Sequence, residues 1–363
     1  MLRPHEMHDG LTAEDLRFTP PDLSENNLRR FLRKHWGIEG DFKRLSGERD
    51  QNLHVTTAND LQFVYKIASP VEDPLLVDFQ IRALLHLEET DPDIPVPRIV
   101  RSIDDKVSET LNDDAGEAHV VRVLGYVPGA RLCDFGAPST ATIEQVGALQ
   151  GRLCRAFSGF DHIAATHFMP WDIMNGLVIS RSLRTDYLKN GLAKICAPAL
   201  ERLEKESLPR MHSLPHQVIH NDAHSGNVMC DPEDPSAITG IIDFGDIVKR
   251  PLVVDLSTAL TSIIQDGQTP LQDSAALIRG FSQYMAVPEN QLELIYDAIL
   301  ARAILSVQLL DFRVAKTEVS AEIRDGHLPE SRVGLEKVMA IDPTEFLDCI
   351  SAAVPTIVSN GDS

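Results

Sequence analysis

Two hydrophobic periods divide the chain. Residues 24–38, SENNLRRFLRKHWGI, place Leu28, Phe31, Leu32 and Trp36 three and four apart, which predicts a helix with Ser24 as its N-cap. The period then drops to two. FKRLSG (42–47), NLHVTT (52–57) and LQFVYKIA (61–68) predict strands, joined by the loop GERDQ and by a turn at residues 58–60, as in an antiparallel meander. A second helix spans 74–89, with Pro74 at its first position and Leu75, Phe79, Ala83, Leu84 and Leu87 as its stripe. Two further strands, 97–103 and 118–127, flank an acidic loop. PGARLCDFGAP (128–138) breaks the pattern with two prolines and two glycines, and marks a boundary between a lobe of residues 1–127 and one of 128–363.

Beyond that boundary helical spacing dominates, over 141–157, 188–206, 251–265, 273–285 and 289–316, with one strand-rich island at 218–244. No repeat or low-complexity tract interrupts it. A small strand-dominated lobe followed by a larger helical one is an α+β plan.

Composition narrows the function classes. A length of 363 residues suits two lobes, and 43% hydrophobic with 24% charged residues is ordinary for a globular chain. A formal net charge of −20 argues against nucleic acid or anionic membranes as partners, and would favour a cationic ligand. Cys133, Cys154, Cys196, Cys230 and Cys349 are scattered and never spaced as CxxC, so neither a zinc site nor a disulfide framework is expected. The start lacks a secretory plan and no apolar run reaches the ~18 residues of a membrane span, so a reduced, soluble, cytoplasmic protein is expected. Oligomeric state stays open, and a homodimer is compatible with all of this.

The island carries the chemistry. It reads HQVIHND, NVMCD, the turn DPEDPS and AITGIIDFGD. A hairpin of 228–230 with 238–242 would bring Asn227 and Asp243 out side by side, and Asp222 would arrive at the same end. These are hard oxygen donors, which suit Mg²⁺, and so sparse a protein set implies a phosphate-bearing ligand. Asp222 could instead hydrogen-bond a substrate hydroxyl and accept its proton.

The HxDxxxxN segment followed by a strand ending in DFG resembles the catalytic core of the protein-kinase-like phosphotransferases. HNDAHSGNVM and IIDFGD resemble the aminoglycoside phosphotransferase and choline kinase branch, and LSGERDQNLHV resembles more narrowly the hydroxylysine kinase and type II homoserine kinase subgroup. The resemblance implies a bilobal protein-kinase-like fold and a kinase that transfers the γ-phosphoryl group of ATP or GTP, with Mg²⁺, to a small hydroxylated, amine-bearing acceptor. It makes Asp222 the catalytic base, Asn227 and Asp243 the metal ligands, and His220 a brace for the catalytic loop. Strand alternation puts Val64 and Lys66 on one face, which suits a nucleotide site with Lys66 on the α and β phosphates and Val64 against the base. Residues 122–129, with Tyr126, would form the hinge. Two departures stand out. Where the wider family has a helix glutamate for the lysine, this chain has Gln80, so Lys66 would rely on the phosphates or on another acid such as Asp78. The loop GERDQ lacks GxGxxG, and only Gly47 permits an unusual turn for backbone contact with phosphate.

Further candidates each have a plainer reading. Arg49 could contact phosphate with Asp50 as its orienter, or form a surface loop ion pair. Trp171 could cover a cationic amine or belong to the core. Asp246 and His224 are candidate substrate contacts. Asp311 and Arg313 could meet an amine and a carboxylate or simply be solvated, and Asp255 is expected to cap or brace the catalytic loop. Two other functions compete: a hydrolase with His220, Asp222 and His224 as an HxDxH metal cluster, and a catalytically silent nucleotide-binding protein.

Overall fold

The computed structural model describes residues 20–182, 192–316 and 322–354. The chain enters through α1 (Glu25–Trp36), capped by the Ser24 side chain on Asn27 N and closed by Gly37 in the left-handed region. The strands β1 (Asp41–Leu45), β2 (Gln51–Thr56) and β3 (Gln62–Ile67) form an antiparallel meander. Next come α2 (Pro74–Thr90), β4 (Ile99–Val100), β5 (Glu109–Asn112) and β6 (Ala118–Gly125). The sheet order is β1-β2-β3-β6-β4, with β4 and β5 sharing the outer edge of β6.

One face of this sheet packs under α1, where Leu28, Leu32 and Trp36 meet Val55, Tyr65, Ile67, Val121 and Val123. The other face opens toward the second lobe, where α2 forms the partition. Phe79, Leu84 and Leu87 of α2 join Leu153, Phe157, Val218, Ile241 and Phe244 in one buried cluster.

The second lobe begins with β7 (Ala130–Arg131) and runs through α3 (Thr140–Ala156), α4 (Gly176–Ser182), α5 (Leu192–Arg202) and α6 (Leu208–Ser213). The island follows as β8 (Gln217–Ile219), β9 (Val228–Cys230) and β10 (Ile238–Ile241), and beyond its expected end at 244 a further strand, β11 (Val248–Arg250), pairs with β8. Then come α7 (Leu252–Asp266), α8 (Pro270–Ser282), α9 (Glu289–Lys316), α10 (Leu328–Met339) and α11 (Pro343–Ala353). The long α9 is apolar nearly all round, burying Leu294, Ile295, Ala298, Ile299, Ala303 and Ile304, as a helix at the centre of a bundle must. Among the described residues no helix is long and apolar enough to cross a membrane.

The protein-kinase-like α+β architecture agrees with the sequence reading, with local corrections. The acidic loop contains β5, whose Glu109 is buried because Ser102 and Lys106 hydrogen-bond it at 3.0 and 3.1 Å. PGARLCDFGAP does more than interrupt the pattern, since its β7 pairs with β9 and extends the catalytic hairpin into a three-stranded sheet. The helices α10 and α11 were not expected. Of the helix expected over 188–206, residues 188–191 lie outside the described residues, as do residues 1–19.

Candidate active site

The β9–β10 hairpin forms as its alternation and Asp/Pro turn predict. Within the turn the Asp231 and Asp234 carboxylates cap the N–H groups of Glu233 and Ser236 at 2.8 and 3.1 Å, which satisfies two backbone donors of a tight reversal. At the open end Ile241 faces Val228, and Ile242 N–H donates to the Asn227 carbonyl at 2.9 Å. Asp243 therefore leaves the ladder beside Asn227. It does so with φ at +65°, and its carboxylate accepts Gly245 N–H at 3.2 Å. That turn sends Phe244 inward, edge-on to the His220 ring at 4.8 Å.

The segment before the hairpin is fixed from below. His220 is buried, its Nε2–H donating to the Ile242 carbonyl at 3.1 Å while Nδ1 accepts Asp222 N–H at 3.3 Å. Both bonds require a neutral ring, and burial pulls its pKa down accordingly. Asn221 adopts φ of +63°, a region that asparagine tolerates, and its backbone is held on both sides. Its N–H donates to Asp255 at 2.6 Å, and its carbonyl accepts from Thr258 at 3.2 Å. Asp255 in turn accepts from Gln150 at 2.9 Å, so it braces the loop from α7.

Asp222 thus projects into a cleft of about 1540 Å³ between the lobes. One carboxylate oxygen accepts from Asn227 Nδ2 at 2.8 Å and lies 3.6 Å from His224 Nε2; the other accepts from Arg302 at 3.3 Å. Burial alone would raise this carboxyl, but His224 and Arg302 outweigh it and hold Asp222 below the ordinary carboxylate range. On His224 burial opposes charge, yet the adjacent Asp222 carboxylate wins and raises the imidazole. In the neutral form of the ring Gly226 N–H donates to Nδ1 at 3.0 Å and the proton sits on Nε2, facing Asp222. Arg302, from α9, also donates to the Trp171 carbonyl and lies 5.6 Å over the Trp171 ring. The cation on Trp171 is therefore the protein's own.

On the opposite wall Lys66 and Val64 line the cleft, while Tyr65 and Ile67 pack beneath α1. Lys66 Nζ is 3.3 Å from Asp50 and 4.0 Å from Asp243. Asp50 also accepts from Arg122 at 2.9 Å, and Gln80 accepts from Arg122 at 2.7 Å. Asp78 is not the lysine's partner; it faces His162 and Arg82 instead. Gly47 needs space rather than an unusual φ, since a Cβ there would come within 2.3 Å of the Asp50 carbonyl. Tyr126 lines the cleft with its ring stacked on His54 at 4.4 Å, and its N–H is taken by the Gln62 carbonyl at 3.2 Å.

Arg49 departs furthest from the sequence reading. It points behind the cleft and pairs with Asp246, with a further bond to the Gly245 carbonyl at 3.2 Å. Burial raises Asp246 above the ordinary carboxylate range; Arg49 opposes that shift and the Asp222 and Asp243 charges add to it. Asp246 borders the cleft, but its carboxylate is committed to Arg49 rather than open to substrate. Arg313 reaches back across the lobes to Glu48 at 2.8 Å, and Asp311 pairs with Arg332. Arg302, Arg122 and the role of Asp50 were missed because each works through a partner distant in sequence.

The HxDxH metal cluster is overturned. Both His220 nitrogens are engaged, His224 Nδ1 is an acceptor, and among the described residues no three His, Cys, Asp or Glu side chains converge on a common point as ligands.

A family model described as a phosphotransferase enzyme family matches residues 41–288. The chain belongs to that family. It is accordingly an enzyme, a small-molecule kinase, and the silent-scaffold reading falls with that assignment. Hydroxylysine kinase of Danio rerio is 20% identical over 314 residues, covering 83% of this chain and 87% of that protein. Among solved structures, a microcompartment-associated aminopropanol kinase superposes with a TM-score of 0.69 at 16% identity, covering 90% of this chain and 100% of that one. An amicoumacin kinase in complex with AMP-PNP, Ca²⁺ and Ami gives a TM-score of 0.68 at 16% identity, covering 89% and 97%. At these identities the structural likeness is one of fold.

Proposed function

We propose that the protein transfers the γ-phosphoryl group of ATP or GTP to the hydroxyl of a small amine-bearing acceptor, an amino alcohol or hydroxy amino acid. The observation that carries this reading is the convergence of Asp222, Asn227 and Asp243 at one end of the cleft, facing Lys66. In this reading residues 1–127 bind the nucleotide and 128–363 supply the acceptor site and the catalytic loop. Lys66 meets the α and β phosphates, Val64 lies against the base, and Tyr126 lies in the hinge.

The donor set fits a hard divalent cation. Among the described residues no hydrogen bond engages Asn227 Oδ1 or Asp243 Oδ2, and both residues border the cleft. Asn227 and Asp243 would hold Mg²⁺, which when bound neutralises charge on the triphosphate. Asp222 orients the acceptor hydroxyl for in-line attack: the new bond forms from that oxygen to the γ-phosphorus as the bond to the β-phosphate bridging oxygen breaks. A carboxylate held below its usual range is a weak base. Asp222 therefore takes the proton late, once bonding to phosphorus has made the hydroxyl acidic. Asp222, Asp266 and Glu330 around the acceptor half of the cleft favour a cationic amine. The hydroxylysine and aminopropanol named for the relatives support the same acceptor class.

The test is nucleotide turnover screened against hydroxy amino acids, amino alcohols, choline and aminoglycosides. Acceptor-dependent ADP or GDP release is expected. Asp222→Asn should lower kcat by about 10² to 10⁴ while nucleotide affinity stays within about threefold. Retained turnover in that variant defeats the assignment.

A further inference from the structure

Three consecutive residues of the loop between β1 and β2 are charged, and each has its partner in a different part of the molecule. Glu48 pairs with Arg313 on α9 at 2.8 Å, and Arg49 with Asp246 beyond β10. Asp50 pairs with Lys66 on β3 at 3.3 Å and with Arg122 on β6 at 2.9 Å. The Asp50 and Lys66 side chains are each only 13% exposed, so their attraction is screened far less than that of a surface pair. Burial would raise the Asp50 carboxyl, but Arg122 and Lys66 outweigh it and hold it ionised. Gln80, the residue of α2 nearest this network, brings no charge. Its carbonyl accepts from Arg122 at 2.7 Å, and its amide reaches the Gly245 carbonyl at 3.4 Å.

We propose that Asp50 is the positioning residue for Lys66, so that the β1–β2 loop, rather than α2, aims the phosphate-binding lysine. This rests on the nucleotide-site reading above. The loop that would cover the phosphates and the acid that orients the lysine are then a single piece. Glu48 and Arg49 tie that piece to the large lobe, so displacing the loop also releases Lys66.

Charge separates this role from a merely structural one. Asp50 repels the triphosphate that Lys66 attracts, so removing its charge should not weaken ground-state binding. What it removes is orientation, and the loss appears in kcat. The competing role is neutralisation of buried Arg122 alone.

The experiment compares nucleotide turnover and melting midpoints of the wild type, Lys66→Met, Asp50→Asn and Asp50→Asn/Arg122→Gln. Expected are an inactive Lys66→Met, and an Asp50→Asn with kcat at least tenfold down and nucleotide KM unchanged within threefold or lower. The double variant should regain melting temperature without regaining kcat. Asp50→Asn retaining more than half of wild-type kcat overturns the proposal, as does recovery of kcat in the double variant. Full turnover in Lys66→Met would sink the nucleotide-site reading and this proposal with it.

Discussion

Asp222 is held by three side chains that arrive from different directions, and only two of them lie within its own motif. His224 and Asn227 stand two and five residues on, within the spacing that made HNDAHSGN legible. Arg302 stands 80 residues on, and no local pattern links it to the loop. Its effect is measurable all the same. Arg302 helps to hold Asp222 below the ordinary carboxylate range, so the carboxylate is ionised throughout neutral pH and is lost only in acid. Removing that cation, as in Arg302→Met, should let the Asp222 pKa climb and move the acid limb of kcat/KM to higher pH. A profile that superposes on the wild type would show that Arg302 does not govern the titration. Lys66 gives the same lesson. Strand alternation found the lysine, but its partner Asp50 lies in a loop whose fold no periodicity encodes.

At the scale of elements, the clearest case of sequence fixing geometry is the crossing of α3 and α8. Gly147 and Gly280 let the backbones touch: a Cβ on Gly280 would come within 1.9 Å of the Glu144 carbonyl, and one on Gly147 within 2.1 Å of the Leu277 carbonyl. Backbone cannot swing aside as a side-chain tip can. Gly280→Ala should therefore force the helices apart and cost roughly 1–3 kcal/mol, seen as a lowered melting temperature with little change in acceptor KM. An unchanged melting curve would mean that the crossing can widen freely. The α3 helix also carries Gln150, which holds Asp255 under the catalytic loop, so the crossing has a route to the site. Long periodic helices and the hairpin were readable because their patterns exceed noise. The strand β5 was not, since four residues with a buried glutamate resemble a loop until Ser102 and Lys106 are seen to satisfy it. In α10, Pro329 and Gly334 dilute a stripe reduced to Leu328, Leu335 and Val338.

Taken whole, the molecule stores neutral histidines in its interior. His167 is buried with Nδ1–H on the Ala164 carbonyl at 2.9 Å, and burial lowers its pKa to about 4. The folded state keeps this ring uncharged, whereas the unfolded chain takes up a proton below about 6.5. Its contribution to stability is thus complete above about 6.5 and declines as pH falls toward about 4, by about 3 kcal/mol over that window. His167→Asn keeps a donor for Ala164 but cannot titrate. The stability difference between wild type and variant should therefore shrink across that window in chemical denaturation, and a constant difference would show that the ring titrates alike in the folded and unfolded states. The kinase-like α+β plan itself was legible, from the switch between a period of two and helical spacing along the chain. Less legible was how far the lobes share an interior. Phe79, Leu84 and Leu87 belong to the same buried cluster as Leu153, Phe157 and Phe244, on the far side of that switch. Fragments 1–127 and 128–363, made separately, would each bare an oily wall and should aggregate, yet co-expressed they should reassemble into an active heterodimer. Two independently soluble, cooperatively melting halves would mean that the seam is only a contact.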